Sequence, residues 1–301
     1  MCGIVGLFIK NEDLKDQLGG LFTPMLIEMT DRGPDSAGVA VYHNPARPGF
    51  SKFTVFHPDD DFDWERLCDG LRMEFNATVN DVHNGSHVVI ETDADPRRAA
   101  RFIRDHDRKL QIMSAGSAIE IYKEVGLPAE VAEQFHLTEM KGTHAVGHTR
   151  MATESAVTTA GSHPYSTGLD LCLVHNGSLS NHNRLRERLH EHEGMDFETQ
   201  NDTEVAAAYI SNRMSKGRSL HEALTDCLSD LDGFYTFVAG TQDGFAVLRD
   251  PIACKPAVLA ETESYVAFGS EYRALTGLPG IEKAKVWEPE PGVVYSWGAS
   301  N

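Results

Sequence analysis

The chain opens Met1-Cys2-Gly3-Ile4-Val5-Gly6-Leu7-Phe8, so a thiol at the second position leads straight into an apolar run. That run, closed by Asn11-Glu12-Asp13, reads as a buried strand over Cys2 to Ile9. Removal of Met1, expected ahead of a small residue, would leave Cys2 with both a thiol and a free α-amine. The amine has a reference pKa of about 7.7–8.0 and the thiol about 8.5. A base poised near neutrality then sits on the same residue as a strong nucleophile, and no separate histidine is needed. A plain core cysteine is the alternative, and the rest of the chain decides between the two.

With 301 residues the chain can form one large domain or two small ones around a substantial core. No apolar run approaches the roughly 20 residues of a membrane helix. Asn11, Glu12 and Asp13 interrupt the first apolar stretch and no basic segment precedes it, so it does not read as a signal peptide. A cytoplasmic location is expected. The net charge of −18, from 45 acidic and 27 basic residues, argues against nucleic-acid and anionic-membrane binding. Cys2, Cys68, Cys172, Cys227 and Cys254 are scattered without a Cys-x-x-Cys pair, which suggests neither a zinc site nor a disulfide framework.

Along the chain, Leu14, Leu18, Leu21, Phe22, Met25, Leu26 and Met29 share a helical face weakened by Gly19, Gly20 and Pro24. A turn at Asp31–Asp35 precedes a strand from Ala37 to Tyr42. From about 57 to 140 the character changes: strand at His87–Glu91, helix at Pro96–Arg108, strand at Leu110–Ser114, helix at Pro128–Phe135. This block is expected to be an α/β insertion in a single domain over 2–301. Beyond it come strands at Ala145–His148 and Leu171–His175, then three helices. Ser180 is expected to cap the first, Asn201 or Asp202 the second, and a Ser219/Glu222 capping box the third. Hairpin strands at Phe234–Ala239 and Phe245–Leu248 follow, with further strands near 257–260, 265–269 and 293–297. Strands arranged as hairpins with helices outside predict an α+β fold of mostly antiparallel sheets.

Four further segments bear on Cys2: Arg32-Gly33-Pro34-Asp35-Ser36-Ala37-Gly38, Gly147-His148-Thr149-Arg150-Met151-Ala152-Thr153, His175-Asn176-Gly177 with His163-Pro164 ahead of it, and Asn201-Asp202-Thr203-Glu204. Together with Cys2-Gly3-Ile4-Val5-Gly6, this ordered set resembles the class II glutamine amidotransferases, whose glutaminase domain is an N-terminal-nucleophile (Ntn) hydrolase. Arg249-Asp250-Pro251, Lys255-Pro256 and Gly269-Ser270-Glu271 look like that family's later strands, so the likeness spans nearly the whole chain outside the insertion.

The resemblance implies a four-layer αββα sandwich and a site for L-glutamine. Cys2 would be the nucleophile, and the Asn176 side chain with the Gly177 backbone N–H would stabilise the oxyanion. Arg150 suits the α-carboxylate because its planar fork donates two parallel hydrogen bonds, and Asp202 suits the α-ammonium. Thr153 and His163 would line the pocket, and Arg32 would brace the nucleophile loop. Neither a metal nor a cofactor is expected in this chain. No sugar-isomerase, phosphoribosyl-transferase or flavin-barrel segment is read after Trp297, so ammonia is expected to pass to a separate synthase subunit. The long insertion makes the chain look like the amidotransferase subunit of the N-methylglutamate synthase group, whose partners resemble pieces of glutamate synthase and would carry any flavin and iron–sulfur chemistry. Two other readings stand beside this one: an Ntn hydrolase for a different amide, and a regulatory or scaffolding subunit that keeps the fold.

Overall fold

The computed structural model describes residues 2–152 and 157–298. In chain order its elements begin with β1 (Gly3–Ile9), α1 (Leu18–Ile27), β2 (Ser36–Tyr42), β3 (Ser51–Phe56), α2 (Trp64–Phe75), β4 (Val79–Asn84) and β5 (His87–Thr92). There follow α3 (Pro96–His106), β6 (Gln111–Gly116), β7 (Ile119–Val125), α4 (Pro128–Gln134), β8 (His144–Arg150) and β9 (Cys172–Leu179). The remainder is α5 (His182–Glu193), α6 (Asp202–Ser215), α7 (Leu220–Asp230), β10 (Gly233–Thr241), β11 (Gly244–Arg249), β12 (Val258–Glu261), β13 (Tyr265–Gly269), β14 (Lys285–Trp287) and β15 (Val294–Gly298).

The layering follows from the two-residue period of β1. Val5, Leu7 and Ile9 turn to one face, where they meet Leu18, Phe22, Met25 and Leu26 of α1. Ile4 turns to the other, where it joins Val174, Val238, Phe245 and Val247 of a second sheet. The first sheet has seven strands in the order β14-β12-β13-β1-β8-β2-β7; the second has four, β15-β11-β10-β9. All of their paired strands run antiparallel. The outer face of the second sheet, through Leu173, Phe237 and Leu248, packs on Leu185 of α5, Val205 of α6 and Leu224 of α7. Helix, sheet, sheet, helix is the expected αββα sandwich, each interior face built by alternate residues.

A third sheet, β4-β5-β3-β6, is antiparallel and is covered by α2 and α3 through Leu67, Leu71, Ala99 and Ile103. It is fastened to the first sheet by a buried ionic contact. Lys52 on β3 donates to Glu120 on β7 at 2.8 Å, and His43 Nε2 lies 2.7 Å from the other carboxylate oxygen. Burial alone would raise the Glu120 carboxyl; His43 and Lys52 outweigh it and draw the carboxyl down to about 2.

The block expected at about 57–140 does not coincide with this third sheet. The sheet and its helices run from 51 to 116, whereas β7 pairs with β2 and α4 sends Val131 and Ala132 into the α1 side of the main core. Apolar alternation marks a strand without saying which sheet it joins. β4, which exposes most of its polar residues, carried no such mark at all. One cap also shifts: α5 starts at His182 behind Asn181, and the Ser180 hydroxyl bonds Asp232 instead. Among the described residues no helix is long and apolar enough to cross a membrane.

Candidate active site

The start of β1 lies beside the end of β8, with Gly3 opposite Thr149. Arg150, the last residue of β8, is buried next to this junction, and the Cys2 sulfur is 3.9 Å from the Met151 carbonyl oxygen. The Cys2 carbonyl oxygen accepts two side-chain donors, Arg32 Nε at 3.0 Å and Asn176 Nδ2 at 3.1 Å. Arg32 is itself held by Glu271 at 2.6 Å, and Arg273 takes the second oxygen of Glu271 at 2.9 Å. A carbonyl fixed from two directions also fixes the Cα one bond away, so the thiol is mounted on a rigid base.

The turn carrying Arg32 packs tightly on β8. A Cβ on Gly33 would lie 2.4 Å from the Thr149 carbonyl, so a larger residue would push the turn off the strand. Asp35 fastens the chain on both sides of Met151: its N–H donates to the Arg150 carbonyl at 3.1 Å and its carboxylate accepts the Ala152 N–H at 2.7 Å.

Strand β9 carries two functions on its two faces. Asn176 shares a face with Cys172 and Val174, between the sheets, and so reaches Cys2. His175 and Gly177 point the other way, towards the start of α6. Gly177 has φ +156°, and a Cβ there would sit 2.0 Å from the Phe234 carbonyl oxygen and 2.7 Å from His175 Nε2. Only glycine fits.

At the start of α6, Asn201 caps the helix by accepting the Thr203 N–H at 2.8 Å, which leaves Asp202 in the first turn. One Asp202 oxygen accepts the Leu179 N–H at 2.9 Å; the other is 3.6 Å from His175 Nδ1. Burial would raise this carboxyl, but His175 and the Leu179 N–H prevail and bring it to about 2, so it is an anion throughout the neutral range. The Thr203 hydroxyl bridges His163 Nε2 at 2.9 Å and His175 Nδ1 at 3.0 Å. The His148 ring stacks on His163 with centroids 4.0 Å apart and donates to the His175 carbonyl at 3.2 Å. Burial pushes His148 down to about 3 and His163 well below its usual range, so both are neutral at pH 7.

Cys2, Arg32 and Asn176 thus meet at one carbonyl with Arg150 beside them, while His163 and Asp202 form a second cluster joined to the first through His175-Asn176-Gly177. Thr153 lies outside the described residues. Sequence reading missed the parts played by Glu271, Asp35, His175 and Thr203, although all four stand inside the segments it quoted. A cavity of about 580 Å³ lies away from Cys2. It lies between the third sheet and α6, lined by Arg97, Ile112, Lys123, Tyr165, Glu204 and Met214 among others. Side-chain chemistry rather than size therefore places the candidate site.

Residues 148–277 match a family model described as a glutamine amidotransferase domain. The chain is 58% identical to the glutamine amidotransferase-like protein GlxB of Rhizobium meliloti over 99% of its own length and 98% of that protein's. It is a class II glutamine amidotransferase. A putative glutamine amidotransferase of Methanothermobacter thermautotrophicus is 30% identical over 98% of both chains. The amidophosphoribosyltransferase of Synechocystis is 38% identical over 50% of this chain and 32% of that one. The structure of glutamine phosphoribosylpyrophosphate amidotransferase from B. subtilis shares the fold, with a TM-score of 0.63 at 21% identity, over 99% of this chain and 47% of that one. This amidotransferase is accordingly an enzyme of glutamine amide hydrolysis or transfer, built on the Ntn-hydrolase fold.

Proposed function

We propose that this amidotransferase hydrolyses L-glutamine to glutamate and ammonia through a thioester on Cys2. The observation that carries the reading is the double clamp on the Cys2 carbonyl by Arg32 and Asn176, with Arg150 at the end of the adjoining strand. Arg150 takes the α-carboxylate of glutamine and Asp202 its α-ammonium, with Thr153 and His163 along the pocket wall. The Cys2 sulfur bonds to the carboxamide carbon while the Cys2 α-amine accepts the thiol proton. The resulting oxyanion is met by the Gly177 N–H and the second N–H of the Asn176 carboxamide, the first being engaged with Cys2. The α-ammonium then returns its proton to the leaving nitrogen, the carbon–nitrogen bond breaks and ammonia departs. Water attacks the γ-glutamyl thioester by the same route, releasing glutamate and the free thiol.

The ammonia passes to a separate synthase subunit of the glutamate synthase-like or N-methylglutamate synthase type, on which flavin and iron–sulfur centres would reside. In support, two relatives are matched over 98% of their own length, whereas the match to Synechocystis amidophosphoribosyltransferase takes in 32% of that chain. Glutamate release from L-glutamine by the wild type, abolished in Cys2→Ala, is the expected result. Equal release by both proteins would overturn the thioester route.

A further inference from the structure

Behind Asp202 lies a hydrogen-bond node that the reaction steps do not use. The Thr203 hydroxyl, almost wholly buried, is 2.9 Å from His163 Nε2, 3.0 Å from His175 Nδ1 and 3.4 Å from Asp202 Oδ1. A hydroxyl has one proton to give and two lone pairs to receive. One arrangement alone puts a proton in each of the three contacts. Both imidazoles donate into the Thr203 oxygen, and Thr203 donates to the carboxylate. It also agrees with the remaining ring atoms, because His163 Nδ1 and His175 Nε2 are buried with no hydrogen-bond partner among the described residues and would then be bare lone pairs. Asp202 is held from the other side by the Leu179 N–H. Its remaining lone pairs, on a side chain about one-fifth exposed, are left for a ligand.

We propose that Thr203, buttressed by His163 and His175, is a positioning residue that aims the Asp202 carboxylate at the ammonium group of the substrate. The node thereby sets the preference for an α-amino acid amide over an amide acid without the amino group. The inference rests on the glutaminase reading above and deepens it. Two buried imidazoles on one hydroxyl, with the Leu179 N–H on the other carboxylate oxygen, leave the carboxylate little freedom to turn, and a hydrogen bond to a charged group is worth roughly tenfold or more in affinity.

The test compares Thr203→Val and Thr203→Ser with the wild type. Two quantities are read: the KM and kcat for L-glutamine, and the inhibition constant of glutaramate, which keeps the amide and the carboxylate but has no ammonium. Thr203→Val is expected to raise the glutamine KM by roughly tenfold with kcat within about twofold, and to leave the glutaramate constant unchanged. Thr203→Ser, which keeps the hydroxyl, restores the KM. If Thr203→Val does not give a cooperative thermal transition, Thr203→Ala takes its place in the same comparison. Equal weakening of glutamine and glutaramate, or no change in either, would overturn the positioning role while leaving the glutaminase reading intact. A wild type that releases no glutamate from glutamine overturns that reading, and this inference with it.

Discussion

Glu271 and Arg32 stand 239 positions apart in the chain, yet their side chains meet at 2.6 Å directly behind the Cys2 carbonyl. The carboxylate steadies the guanidinium, the guanidinium steadies the carbonyl, and the carbonyl sets the position of the thiol. Glu271→Gln keeps the shape and loses the charge. Its glutaminase kcat should fall roughly tenfold at an unchanged glutamine KM, the scale of one hydrogen bond to a charged group. Steady-state kinetics alongside a thermal melt checks this; a shift in KM alone would place Glu271 in substrate binding instead.

Asn176 has two duties, holding the Cys2 carbonyl and, by the proposed mechanism, meeting the oxyanion. Asn176→Ala should lower kcat by about 10²–10³, the usual loss for one oxyanion donor. The release of glutamate under saturating glutamine is the readout. Undiminished turnover would remove Asn176 from the mechanism.

The Lys52–Glu120 contact predicts how the protein responds to acid. The folded Glu120 carboxyl sits near 2, below its ordinary 4.5, so the folded state binds fewer protons than the unfolded chain between those values. Its contribution is complete above about pH 4.5 and fades as the pH falls towards 2. Glu120→Gln should flatten that part of the stability–pH curve. At pH 7 it should also cost about 3 kcal/mol, because Lys52 is left as a buried charge without its carboxylate. Urea unfolding at several pH values measures both.

Lys123 predicts a rise of stability with pH in a second window, on the alkaline side. Burial lowers its ammonium to about 8 from an ordinary 10.5, with Glu198 and Glu204 offsetting part of the effect. Between those values the unfolded chain binds more protons, so this residue makes stability rise with pH from about 8 to 10. Lys123→Met should lack that rise. The same ammonium donates to the carbonyls of Ala160, Ser162 and Pro164, which flank His163, so the variant should also raise the glutamine KM. Unfolding midpoints at pH 7.5 and 9.5, with kinetics at pH 7.5, test both statements.

What could be read from the sequence was what is local or short in period. Ser219 and Glu222 form their capping box, and the Leu220-to-Cys227 stripe packs as expected, because caps and helical stripes are decided within a few residues. The segments bearing Cys2, Arg150, Asn176 and Asp202 were visible as motifs for the same reason. Glu271 was quoted without a role, since nothing near it in the chain shows that Arg32 is its partner. No strand was read at Ile119–Val125, which simply fell inside the expected insertion; that this stretch is β7 and pairs with β2 is a long-range choice. Thr203 was hidden beside Asp202, its meaning resting on two histidines brought in by other elements.

The most direct measurement is an intact-mass spectrum of the purified chain before and after exposure to a diazoketone analogue of L-glutamine. The account predicts a mature chain lacking Met1, labelled once, on Cys2, with labelling slowed by glutamine. A chain that keeps Met1, or that takes the label at another residue or not at all, would contradict it.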